Sequence, residues 1–65
     1  MEHELLDISQ VATYFRVRQD TIRVWVKQGL LEGFRAGRDW RFSKQEVEDC
    51  VERLRARSRK SPVAV

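Results

Sequence analysis

Apolar residues recur along this chain with two different periods, and the change of period divides it into elements. Ile8, Val11, Ala12 and Phe15 fall at helical spacing, which predicts a short helix over residues 8–15. Asp7 precedes it and Gln10 follows three residues later, a capping box in which each side chain satisfies the other's free backbone N–H. Leu6 and Val11 flank the box as a hydrophobic staple. Ile22, Trp25, Val26 and Gly29 then stack on one face of a second helix, predicted over residues 19–28, with Gly29 where a left-handed residue would stop it.

Only residues 16–18 separate these helices, and Val17 between them is expected to turn inward and lock the corner, the layout of a helix-turn-helix. Beyond Gly33 the period shortens to that of a strand. Phe34, Ala36, Trp40 and Phe42 all face the core if a three-residue loop, Gly37, Arg38 and Asp39, pairs Ala36 with Trp40 and Phe34 with Phe42. That register sets Arg35 opposite Arg41 on the outer face, whereas a two-residue loop would pair Phe34 with Arg41. Ser43 and Glu46 form a second capping box, stapled by Phe42 and Val47. Val47, Cys50, Val51 and Leu54 repeat at i, i+3, i+4 and i+7, predicting a third helix over about residues 44–55 or a little beyond. The remainder has no periodicity: residues 1–57 are expected to form one domain, and residues 58–65 a basic, disordered tail.

Composition sharpens this frame. A chain of 65 residues buries only roughly 60% of its unfolded surface, so the two tryptophans and three phenylalanines must carry much of the core. One cysteine, Cys50, and one histidine, His3, make neither an internal disulfide nor a structural zinc site. The acidic start is the opposite of a basic leader and no apolar run approaches a membrane span, so a cytoplasmic location is expected. The net charge of +3 is segregated: residues 1–15 hold three acids and no base, residues 16–41 seven bases and three acids, residues 42–52 four acids and one base, residues 53–65 five bases and no acid. A chain so divided has a positive and a negative side, and a polyanion is the natural partner.

The segments "VATYFRV", "TIRVWVKQGLL" and "GRDWRFSKQEVE", taken together, resemble the excisionase-type winged helix-turn-helix, the minimal relative of the MerR DNA-binding domain, over residues 6–53. The resemblance implies a mainly α fold, three helices with a two-stranded β-hairpin wing between the second and third. It implies that the second helix reads the DNA major groove, that the wing holds phosphates or the neighbouring minor groove, and that copies bind head-to-tail at repeated sites. The chain departs from the family twice: Arg16 stands where glycine is usual in the turn, and Arg18 where serine usually caps the second helix. The first makes a left-handed backbone costly by roughly 1 kcal/mol or more, so a slightly altered turn is expected. The second forfeits about 0.5–2 kcal/mol of capping. Both add positive charge beside the DNA.

Gln19, Arg23 and Lys27 form an i, i+4 ridge off the apolar face of the second helix. Arginine can take guanine O6 and N7 together, and glutamine adenine N6 and N7, so Gln19 and Arg23 have base-reading chemistry and Lys27 suits phosphate. Asp20, beside Thr21 in the same turn, repels phosphate unless it accepts from cytosine N4 or orients Arg23. Arg35, Arg38 and Arg41 are the wing candidates. Arg35 and Arg41, set opposite each other, would repel unless an anion lay between them, and a phosphate would supply it. The alternative for the wing is pairing with Asp39 or Glu32.

Trp25, Trp40 and Phe42 are read as core, and Cys50 as a small buried hydrophobe. Glu46, Glu48, Asp49 and Glu52 give the third helix an acidic face, and Arg53, Arg55, Arg57, Arg59 and Lys60 could add nonspecific phosphate contacts. No phosphate loop, metal-ligand cluster or catalytic constellation is recognisable, so no enzyme activity and no cofactor are expected. The partners expected are double-stranded DNA, further copies of the chain, and a recombinase or the transcription machinery. An adaptor using the acidic third helix is the alternative.

Overall fold

A computed structural model describes residues 4–60. The elements run β1 (Leu5–Leu6), α1 (Ile8–Phe15), α2 (Gln19–Gln28), β2 (Phe34–Ala36), β3 (Asp39–Ser43) and α3 (Lys44–Lys60). This is a small, mainly helical winged helix-turn-helix. Its first two helices have the bounds expected from their periodicity, because their ends are set by local hydrogen bonds. Asp7 Oδ1 accepts from the Gln10 N–H at 2.8 Å, and Gln10 Oε1 accepts from the Asp7 N–H at 2.9 Å. At the other end of α2, Gly29 is left-handed (φ 81°), and the N–H groups of Gly29 and Leu30 donate back to the carbonyls of Val26 and Trp25 at 3.2 and 2.9 Å.

The turn between α1 and α2 repeats this arrangement with an arginine in the glycine position. Arg16 adopts φ 61° and ψ 46°, and Arg16 and Val17 donate to Thr13 O and Ala12 O at 3.1 and 3.0 Å. The altered turn expected there is therefore not seen: the left-handed geometry is retained, at a cost of about 1–2 kcal/mol. Val17 packs against the core from this corner as expected.

The sheet corrects the sequence reading in two ways. It has three antiparallel strands in the order β1-β3-β2, so Leu5–Leu6, expected only as a staple, also forms an edge strand with Leu6 opposite Phe42. The hairpin pairs Phe34 with Arg41, Arg35 with Trp40 and Ala36 with Asp39, so its loop is the two residues Gly37 and Arg38. Gly37 has φ 73° and Arg38 is not left-handed, the pattern of a II′ turn, whose twist matches that of the flanking strands.

Phe34 and Ala36 consequently lie outside the core, Phe34 at 46% exposure. The position that faces inward opposite Phe42 is Gly33. A Cβ there would run into the Phe42 ring and lie 2.8 Å from Arg41 O. The inner face of this strand therefore offers space for the aromatic ring of its partner rather than a ring of its own.

Val11, Ala12, Ile22, Leu31, Phe42, Val47 and Cys50 form the buried core, with Trp25, Trp40 and Leu54 packed half-buried around it. Trp25 meets Phe15 edge to face at 5.1 Å, and Trp40 stacks on Phe42 at 6.2 Å. The third helix starts at its expected box, Ser43 Oγ accepting from the Glu46 N–H (3.1 Å) and Glu46 Oε1 from the Ser43 N–H (2.8 Å). It then continues through Lys60, beyond the end expected near Arg55 and into the segment read as a disordered tail. His3 and residues 61–65, with the tail expected there, lie outside the described residues.

Candidate nucleic-acid interface

The helical turn and the wing bring one set of side chains together. Gln19 and Arg23, from the first turns of α2, face Arg35, Arg38 and Arg41 of the hairpin across an open groove of about 470 Å³. The start of α1 forms the third wall, with Asp7, Ile8 and Ser9, and Asp39 and Trp40 complete the wing side. Four arginines against two carboxylates leave this groove positive. Arg16, Arg18, Asp20, Thr21 and Lys27 do not line it. Of these, Arg16, Arg18, Asp20 and Lys27 are exposed along the turn and α2, and Thr21 is half-buried. The contribution of α1 was not legible in the sequence, because nothing local to Asp7–Ser9 indicates which element lies across from it.

Each arginine is held differently. Arg23 Nη1 lies 3.2 Å from Asp20 Oδ1, so Asp20 orients Arg23 within the helix. Both side chains are well exposed, and such a pair contributes little to stability. The Arg35 guanidinium sits over the Trp40 ring, 5.4 Å from its centroid. Arg41 is half-buried and turned back on its own strand, donating from Nη1 to Trp40 O at 3.0 Å and lying 3.9 Å from Asp39 Oδ2. Arg38 stands exposed at the tip.

The expected opposition of Arg35 and Arg41 is absent. The two-residue loop puts them on opposite faces of the hairpin, so no anion is needed between them. The pairing of Arg41 with Asp39, weighed in the sequence as the alternative, is present in a loose form. Arg18 starts α2 without a side-chain cap, as its side chain requires.

A family model described as a helix-turn-helix domain matches residues 5–55, from the first residue of β1 into α3. The chain belongs to this family. It is the excisionase-type helix-turn-helix, a DNA-binding module that is typically not catalytic, and the match takes in both α2 and the wing. No curated protein and no solved structure matches the chain. Among the described residues no helix is long and apolar enough to cross a membrane.

Two features of the surroundings were missed in the sequence. Arg53, read there as part of a basic run, donates from Nη1 to Leu30 O at 3.2 Å and ties α3 to the end of α2. Its spacing alone could not reveal a partner 23 residues away. Tyr14, exposed on α1, borders a second groove of about 320 Å³ with Glu48, Asp49 and Glu52 of α3, whose lining includes no arginine.

Proposed function

We propose that this chain binds double-stranded DNA, with α2 in the major groove and the wing on the adjoining backbone or minor groove. The observation that carries the reading is the convergence of Gln19 and Arg23 with Arg35, Arg38 and Arg41 on one open, positive groove. Gln19 and Arg23 take base edges, Arg23 being the guanine reader because Asp20 already orients its fork. Arg38 takes phosphate at the tip, Arg35 extends over Trp40 toward the same groove, and Arg41 supports the wing while presenting its remaining charge. Arg16, Arg18, Thr21 and Lys27 flank α2 and meet the backbone. A single module of this size binds weakly, so copies bind side by side at repeated sites, as an architectural factor beside a recombinase or a small regulator beside the transcription machinery.

Selection of duplexes from a random pool tests the reading. The expected result is one enriched motif containing a guanine whose replacement, or the Arg23→Ala change, weakens binding at least about fivefold. Enrichment of no sequence, with equal binding by Arg23→Ala, overturns it. The acidic groove beside exposed Tyr14 supports a second reading, an adaptor surface separate from the arginine-lined groove. DNA binding insensitive to Arg23 and Arg38 together would favour that reading.

A further inference from the structure

We infer that Val24 is a specificity-determining residue that recognises the 5-methyl group of a thymine; the inference rests on the DNA-binding reading above. Val24 is one of few large apolar side chains left exposed, at 47%, and it lies on α2, not on the wing or at a chain end. Two residues beyond fully buried Ile22, it is turned about 200° around the helix axis, so it faces directly away from the core. Its neighbours on that outward face, Asp20 one turn earlier, Arg23 beside it and Lys27 beyond, are all charged and exposed.

A branched apolar residue gains nothing from such a position in the free protein. It leaves about half of its surface in water, and valine is a weaker helix former than the lysine, arginine or glutamine that occupy neighbouring exposed sites. On DNA the position has a use. The thymine methyl is the one apolar group that base edges present in the major groove, and small aliphatic side chains are its usual contact.

The Asp20–Arg23 pair bears on the same patch. Arg23, which lines the groove, is held 3.2 Å from Asp20, and Asp20 lies one turn before Val24 on the outward face, so the fork and the valine side chain flank the same carboxylate. Arg23 and Val24 are then consecutive readers on one face, a fork for guanine and a methyl contact for thymine. The hydrogen bonds open to Gln19 and Arg23 read purines, and a methyl contact would add discrimination at a thymine that does not depend on them.

The test uses the full chain and duplexes that it selects from a random pool, with each thymine replaced in turn by deoxyuridine, which removes the methyl and nothing else. Loss of one methyl contact should weaken wild-type binding about fourfold at one thymine. Val24→Ala should bind the thymine duplex about fourfold more weakly, and should be indifferent to the deoxyuridine exchange at that position. The substitution is exposed and favours the helix, so folding is not at stake. If deoxyuridine costs the two proteins the same at every position, or if no thymine is enriched, the role of Val24 is overturned while DNA binding stands. If no duplex is selected at all, both readings fall.

Discussion

Gly33 and Arg16 are the two residues at which this fold is most constrained, for opposite reasons. Gly33 is needed for space, not for its backbone freedom: a methyl there would enter the Phe42 ring and crowd the Arg41 carbonyl. Gly33→Ala is expected to cost about 1–3 kcal/mol through overpacking. That is a large share of the roughly 3–5 kcal/mol a core of this size supplies, and urea unfolding would register it as a lowered midpoint. Arg16 keeps a left-handed backbone without a glycine, an expense that the two carbonyl bonds of the turn offset. Cys50 is fully buried, and its protonation bears on stability. Burial pushes its thiol up, with the charge of Arg53 opposing. Its neutral form is thus favoured by folding. That contribution is complete below the value of the unfolded thiol, about 8.5, and is lost as pH rises through the higher folded value. Wild type should therefore lose stability more steeply above about pH 9 than Cys50→Ala, as measured by urea midpoints across that range.

Helix caps divide the elements into those optimised for folding and one that is not. The boxes opening α1 and α3 are complete, whereas α2, the helix proposed to enter the major groove, begins at Arg18 with no side-chain cap. Arg18→Ser should raise stability by about 0.5–2 kcal/mol while weakening DNA binding, since it exchanges a charge for a cap. Thermal unfolding and a binding titration on the same sample check the two signs, and a gain in both would show that Arg18 does not meet DNA. The elements were legible to different depths. Helix bounds at Ile8–Phe15 and Gln19–Gln28 followed from spacing and capping residues because those bonds span only a few residues. The hairpin loop did not, because alternation of Phe34, Ala36, Trp40 and Phe42 suggested that all four point inward. Opposite Phe42 stands Gly33 instead, and opposite Trp40 stands exposed Arg35, its guanidinium over the ring.

Charge is what links the whole molecule to its proposed partner. Arg23 of α2 and Arg35, Arg38 and Arg41 of the wing line one groove, and Glu48, Asp49 and Glu52 gather beside Tyr14 in a separate one. Binding that neutralises about five phosphates should follow salt with a log-log slope near −4 to −5, and Arg38→Ala should reduce that slope by about 1. A titration series over salt concentration measures both, and an unchanged slope would remove the wing tip from the interface. Segregation of charge was readable from the order of residues, as were the three helices, their caps at Asp7 and Ser43, and the stop at Gly29. All of these depend on neighbours within a turn or two of the chain. The pairing of Leu6 with Phe42, the two-residue loop, the separation of Arg35 from Arg41, the bond from Arg53 to Leu30 O and the wall that α1 lends the groove could not be read that way. Each is a choice between segments distant in the chain, which local propensity does not decide; in the sheet, the room that Gly33 leaves for the fully buried Phe42 ring goes with the register adopted.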